Sequence, residues 1–205
     1  MDPFPLEPYR SARLLYRAPE DNPTDDAFFQ ALYADPSIGS MASHALQRPL
    51  STKERREFRS KIQARMFISV MICLIPDEGS DNDPETIGVI SLKEQPPIFA
   101  HNRTHELGIT IARPYQDKGY GTEAISWMLD WAFSTAGLHR VELTVYEWNE
   151  RAQRVYQRLG FVSEGRRREC LWKGGRWWDC IHMGILAHEW EKKKKTVVAE
   201  RSVST

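Results

Sequence analysis

Across residues 106–133 the hydrophobic period changes from two to about 3.6, and the change falls on a loop holding two glycines one residue apart. Before the loop, "HELGITIA" alternates, with Leu107, Ile109 and Ile111 on one face and Glu106, Gly108 and Thr110 on the other. After it, Ala124, Ile125, Met128, Leu129, Ala132 and Phe133 recur at helical spacing, with Gly137 just beyond. One element cannot carry both periods, so the stretch is a strand, a turn and a long amphipathic helix. At "QDKGYGTEA" that turn exposes backbone N–H groups at the positive end of the helix. Glycine has no Cβ to keep an anion from those groups, and Lys118 adds positive charge. The loop is a candidate phosphate cradle. Glycines at such turns also serve purely steric ends, and the loop alone does not choose.

Two familiar cradles are excluded by residue count. The nucleoside-triphosphate loop needs Lys followed by Ser or Thr after its last glycine, and Gly121 is followed by Thr122 and Glu123. The dinucleotide fingerprint needs an acidic residue closing the next strand, and "LTVYEWN" offers only Glu147, out of place for a simple βαβ unit. Bulk composition narrows the partners further. Lys plus Arg balance Asp plus Glu at 28 each, so no overall field favours nucleic acid or a membrane surface. The start "MDPFPLEPYR" lacks the basic and apolar segments of a secretion signal. Cys73, Cys170 and Cys180 are odd in number and lack paired ligand spacing, which points to free thiols in a reducing cytoplasm and to no metal.

The rest of the chain reads as alternating elements. "SARLLYRAP" is a first strand. "TDDAFFQALYADP" is a helix with Thr24 or Asp25 as cap and Pro36 as stop. "STKERREFRSKIQAR" is a charged helix capped by Ser51 or Thr52, and "MFISVMICLIP" a buried strand. "DEGSDNDPE" lacks the oxygen ladder of a calcium loop and reads as a mobile hairpin connection. "TIGVISLKE" resumes the sheet, "RVELTVYEW" is a later strand, and "NERAQRVYQRLG" is a short helix from Asn149 to Gly160. "FVSEGRRRECLW" and "RWWDCIHMGIL" form a hairpin about "KGG". This order argues a mixed α/β domain.

The two stretches "ELGITIARPYQDKGYGTEAISWMLDWAF" and "HRVELTVYEWNERAQRVYQRLGFVSEG" together resemble the GNAT superfamily of acetyl-CoA-dependent N-acetyltransferases. In that family a Q/R-x-x-G-x-G/A loop holds the coenzyme pyrophosphate. Here it reads Gln116, Asp117, Lys118, Gly119, Tyr120, Gly121, with Thr122 following. The family's Asn-x-x-Ala-x-x-x-Tyr-x-x-x-Gly-Phe segment is complete as Asn149, Ala152, Tyr156, Gly160 and Phe161. "RLLYRAP" and "GRWWDCIHMGIL" are similar to the end strands of the branch that acetylates ribosomal-protein N-termini, spermidine and other small amines. The resemblance implies a single domain over residues 10–190, with an N-terminal extension of residues 1–9 and a basic, unstructured tail from 191 to 205. It implies a central twisted, mostly antiparallel sheet of about six to seven strands flanked by about four helices. It also implies acetyl-CoA as co-substrate, direct attack by a primary amine in a ternary complex, and pantetheine pairing along Ile109, Thr110 and Ile111. A sensor that binds acyl-CoA without turnover is the competing class.

Acetylating an alkyl amine needs its neutral form, which at pH 7 is about one molecule in 2,500 for a pKa near 10.4, a cost of about 4.6 kcal/mol. Glu106 is the candidate base, acting directly, through water, or by holding the ammonium; an ordinary ion-paired carboxylate is the alternative. Tyr156 is the candidate proton donor to the leaving thiolate, or a packed aromatic. Asn149 reads as helix cap, pantetheine donor, or both. Trp127 and Trp131 read as packing against the sheet, whereas Trp172, Trp177 and Trp178 can border an acceptor pocket or a subunit contact. His101 and His105 offer a proton shuttle but no third metal ligand. A homodimer fits the resemblance, and the lysine run fits nuclear entry as well as a solvated tail.

Overall fold

The computed structural model describes residues 8–42, 46, 48–76, 79 and 83–203. The N-terminal extension up to residue 7 and most of the acidic connection after residue 76 lie outside the described residues. The chain forms two compact units. One holds the chain up to Lys93 together with Gly108–Trp127; the other holds Glu94–Leu107 together with the chain from Met128 onward.

In the first unit β1 (Leu14–Arg17), β2 (Met66–Leu74) and β3 (Thr86–Lys93) pair antiparallel, Tyr16 opposite Ile72 and Met71 opposite Val89. Branched side chains make β2 a buried strand, and Phe29 from α1 (Pro23–Ala34) packs on Met71 and Cys73. The cap of α1 is Asn22, whose side chain accepts from the Asp25 N–H at 2.8 Å, with Pro23 in the first turn. Thr24 and Asp25 are thus already helical, and Asp25 instead turns inward to meet Arg17 through two bonds of 2.8 and 2.6 Å. Pro36 does end α1, at Ala34, but it also opens α2 (Pro36–Ala42), with Asp35 bonding the Ser37 N–H at 2.8 Å. Helix α3 (Thr52–Gln63) starts with a reciprocal capping box: Ser51 Oγ accepts from the Glu54 N–H at 3.2 Å, and Glu54 accepts from the Ser51 N–H at 2.8 Å.

In the second unit β5 (Arg140–Tyr146) pairs antiparallel along its whole length with β7 (Arg176–Leu186), which pairs in turn with β6 (Val162–Lys173) about the glycine turn. The first half of β4 (Thr104–Ile111) runs parallel to β5, with Thr104 opposite Arg140 and Glu106 opposite Glu142. That parallel ladder is three residue pairs long, against seven between β5 and β7. The seven strands follow the order β1-β2-β3-β4-β5-β7-β6, and β4 contributes its two halves to the two units. The sheet is mixed and mostly antiparallel.

The long helix is α4 (Tyr120–Asp130), which relaxes into a π-type turn over Trp131–Thr135, where the Ala136 N–H reaches back to the Trp131 carbonyl at 3.0 Å. Its stripe is buried as the periodicity requires, Ala124, Ile125, Met128, Leu129 and Ala132 all being enclosed. Among the described residues there are six α-helices, against about four expected. One addition is α2; the other corrects the tail. Residues from Glu191 on continue helix α6 (Ala187–Val203) rather than lying unstructured. Glu189 closes its first turn by accepting from the Leu186 N–H at 2.9 Å. Trp190 and Lys194, one turn apart, both donate to Asp130 at 2.8 and 2.6 Å. Of the lysine run, Lys192 and Lys195 are exposed, whereas Lys194 is tied to Asp130 and Lys193 is half-buried.

One close approach fixes the end of β4. A Cβ at Gly88 of β3 would lie 2.6 Å from the Thr110 carbonyl oxygen and 2.8 Å from Ile111 Cδ1, so the residue must be glycine for the backbones to meet. Gly88→Ala is expected to destabilise the fold by about 1–3 kcal/mol through overpacking. Thermal unfolding of the purified variant checks this, and an unshifted transition contradicts the close approach.

Candidate functional site

The turn between β4 and α4 lies wholly within the first unit. From Ile111 the chain passes through a 3-10 turn at Arg113–Tyr115. Gln116 then folds back, its side-chain amide donating to the Ile111 carbonyl at 2.8 Å. Asp117 and Gly119 both adopt left-handed backbone, with φ of 62° and 82°. Gly119 precedes the first residue of α4 and fills the cap position, where it accepts the Glu123 N–H at 3.1 Å. Having no side chain, it leaves the helix start without a side-chain cap of the kind Asn22, Asp35, Ser51 and Asn149 provide elsewhere. Gly119 itself is exposed, and Tyr120, Gly121 and Thr122 form the helix's first turn. Lys118 holds its ammonium 5.5 Å from the Tyr115 ring.

What fixes this turn comes from the far end of the chain. Glu123 Oε1 accepts from the Ser11 hydroxyl and the Arg13 N–H, both at 2.7 Å, and Oε2 accepts from Arg13 Nε at 2.7 Å. Burial works to raise the Glu123 carboxyl, and these bonds outweigh it, so the group sits below its ordinary range. Arg13 also donates Nη1 to the Lys118 carbonyl at 3.0 Å and lies 4.5 Å from the Tyr120 ring centroid. Ser11, Arg13 and Glu123 were not among the residues the sequence singled out. Ser11 and Arg13 lie more than a hundred positions from Glu123, and no periodicity joins them to it.

The second unit holds the remaining candidates. Glu106 is half-buried on β4, opposite Glu142 across the parallel ladder. Burial, then the neighbouring Cys170 thiol and the Glu106 charge, push the Cys180 thiol up to about 11. Helix α5 (Glu150–Leu159) begins at Asn149, whose Oδ1 accepts from the Ala152 N–H at 3.2 Å. It ends at Gly160, where the Phe161 N–H bonds the Tyr156 carbonyl at 3.0 Å and the two rings meet edge to face. Burial pushes the Tyr156 phenol up to about 12. The phenol is therefore fully protonated at neutral pH.

Other candidates resolve as follows. Trp127 packs, stacked 3.8 Å from Tyr16 with its N–H on the Pro8 carbonyl. His105 is buried on β4, while His101 is exposed. Among the described residues no cluster of three metal-binding side chains occurs. Trp172 and Trp177 are exposed and pair across the β6–β7 hairpin, 62% and 54% accessible. Trp178 lies under Arg176 at 3.4 Å and meets Trp148, whose ring also carries Lys173 at 4.3 Å. Trp148 was not anticipated, although it stands directly before the helix cap. No described helix is long and apolar enough to cross a membrane.

A family model described as acetyltransferase (GNAT) domain matches residues 13–162. The spermidine N(1)-acetyltransferase of Escherichia coli K12 is 32% identical over 114 residues, 56% of this chain and 60% of that protein. A putative ribosomal N-acetyltransferase of Bacillus subtilis is 33% identical over 112 residues, 55% of this chain and 60% of that protein. The chain thus spans about half to three-fifths of the curated relatives it matches. The crystal structure of spermidine N-acetyltransferase from Vibrio cholerae in complex with CoA and spermine superimposes with a TM-score of 0.71 at 28% identity, covering 88% of this chain and 99% of that one.

The Glu123 clasp makes a testable contribution to stability. Its carboxyl is depressed in the folded state, so its stabilisation is present above the unfolded carboxylate range and is lost as the pH falls through the folded value. Urea unfolding of wild type and Glu123→Gln is expected to differ most at neutral pH and to converge below about pH 4, near the ordinary Glu value. A gap of equal size at both ends would show that the charge is not what binds Ser11 and Arg13.

Proposed function

Because this chain belongs to the GNAT acetyltransferase domain family, we propose that it is an acetyl-CoA-dependent N-acetyltransferase, moving an acetyl group to a primary amine by direct attack in a ternary complex. The observation that carries the reading is the bare start of α4. Gly119 stands where four other helices carry a polar side-chain cap, so the N–H groups of the first turn and the positive end of the helix are left for an anion. The coenzyme diphosphate is the anion this family would bring. Gln116, Asp117, Lys118, Gly119, Tyr120, Gly121 and Thr122 line that seat, and the backbone of Ile109, Thr110 and Ile111 offers strand pairing to the pantetheine arm. Asn149 spends its side-chain oxygen on the Ala152 N–H, so its amide nitrogen keeps two donors for a pantetheine carbonyl.

Glu106 takes the acceptor's proton or holds its ammonium, and Tyr156 donates to the thiolate leaving the acetyl group. The phenol's high value supports a hydrogen-bond donor that stays protonated throughout the working range. The acceptor is a small amine, which the spermidine N-acetyltransferase relatives support, or a protein N-terminus, with a putative ribosomal N-acetyltransferase also among the relatives. Cys73, Cys170 and Cys180 are all free thiols, which supports a reducing cytoplasm as the working compartment.

Incubation with acetyl-CoA and polyamines, amino sugars, arylalkylamines and short peptides, followed by thiol release, tests the activity; no release above background with any of them would leave a coenzyme-binding sensor instead. Gly119→Val is expected to weaken CoA binding by more than about tenfold in calorimetry, since a Cβ there meets Arg13 Nη2 at 3.3 Å and the left-handed backbone disfavours it. Near-normal affinity would contradict the cradle. Tyr156→Phe is expected to lower turnover by about tenfold or more while CoA still binds. With the phenol near 12, wild-type turnover should climb with pH as the amine deprotonates and show no Tyr156-dependent fall below about pH 11. A descending limb near pH 9 that vanishes in Tyr156→Phe would assign the phenol a different state.

A further inference from the structure

The diphosphate seat holds two left-handed residues separated by a single lysine, and left-handed backbone at a non-glycine such as Asp117 costs on the order of 1 kcal/mol or more. Such a turn keeps its shape only where neighbours over-determine it. Beside Gln116, which holds the Ile111 carbonyl from within the turn, the side chain that braces it from outside is Arg13. Its Nε meets Glu123 Oε2 at 2.7 Å, its Nη1 meets the Lys118 carbonyl at 3.0 Å, and its Nη2 faces Gly119, 3.3 Å from where a Cβ would sit. The guanidinium also covers the Tyr120 ring at 4.5 Å. One planar group thus touches residues 118, 119, 120 and 123, the corner of the turn and the first helical residues.

We propose that Arg13 is a positioning residue for the coenzyme diphosphate: it sets the turn so that the first N–H groups of α4 face the ligand. This rests on the acetyl-CoA reading above. The role is geometric rather than one of net charge. Glu123 neutralises the guanidinium, and the task is to span a carboxylate and a carbonyl in fixed directions, which a fork of five donors does and an ammonium does not. Ser11, bonded to the same carboxylate at 2.7 Å, holds Glu123 in place for it.

The test compares wild type with Arg13→Ala and Arg13→Lys in the full chain. CoA and dephospho-CoA binding are measured by calorimetry, and steady-state kinetics are run with acetyl-CoA and with S-acetyl-pantetheine, which lacks the diphosphate. Both variants are expected to lose about tenfold in CoA affinity, the size of one charge-assisted hydrogen bond, with the loss appearing in KM rather than kcat. The preference for acetyl-CoA over S-acetyl-pantetheine, as a ratio of kcat/KM values, should fall by a similar factor, whereas general loosening of the fold would lower both donors and leave the ratio alone. Dephospho-CoA, which keeps the diphosphate, should lose affinity as CoA does. An unmoved ratio, full rescue by lysine, or a loss confined to CoA with its 3′-phosphate would each overturn the proposal. If wild type binds no CoA, the enzyme reading itself fails; if wild type binds and Arg13→Ala binds equally well, this inference alone fails.

Discussion

A helix that begins without a side-chain cap must find partners for its first N–H groups elsewhere. In this chain the helices α1, α2, α3 and α5 start on Asn22, Asp35, Ser51 and Asn149, each of which turns an oxygen onto its own helix. Helix α4 starts on Gly119 instead. The carboxylate of its first turn, Glu123, is drawn to Ser11 and Arg13, so the negative charge that would have quenched the helix dipole serves as an anchor. The same glycine that would open the proposed seat to an anion also removes the local means of fixing the turn, and Arg13, just ahead of β1, braces it from outside.

That division explains what could and could not be read from the sequence. The strand–glycine–helix junction and the segment from Asn149 to Phe161 are local patterns. Their spacing alone places the α4 stripe, the Asn149 cap and the closing turn at Gly160, and each is found. Glu106 and Tyr156 could likewise be placed on β4 and α5 from period and spacing. The clasp could not, because Ser11 and Arg13 meet Glu123 only after more than a hundred intervening residues have folded. Pro36 was legible as a breaker but not as a starter, since the same fixed φ that ends one helix suits the first position of the next. The lysine run misled for a related reason. Four like charges argue against a packed core, yet α6 needs only one anchored face, and Trp190 with Lys194 finds it on Asp130.

The hairpin β6–β7 shows how part of a strongly charged sequence is held by its own fold. "GRRRE" reads as a basic patch, but Arg166 is held by both Glu147 and Asp179, and Asp179 also accepts the Glu169 N–H at 2.8 Å. Lys173 and Arg176 lie on Trp148 and Trp178, where the rings take up part of their charge. Beside the exposed Arg167 and Arg168, the hairpin also presents an aromatic pair outward, Trp172 against Trp177.

The proton inventory of the proposed reaction constrains the role left to Tyr156. A phenol near 12 facing a thiolate whose conjugate acid lies near 8.5 cannot give up its proton outright without a loss of about 3.5 pKa units, or roughly 4.8 kcal/mol. The attacking nitrogen, once bonded to the acetyl carbon, carries an ammonium-like proton that is far more acidic than the phenol. The lower-energy course is for the phenol to hold the developing thiolate by a hydrogen bond while that nitrogen supplies the proton that is finally lost. Burial of Tyr156 thus favours electrostatic stabilisation over full transfer. It also keeps the group in one protonation state across the range in which the acceptor amine titrates, so the phenol adds no pH dependence of its own there.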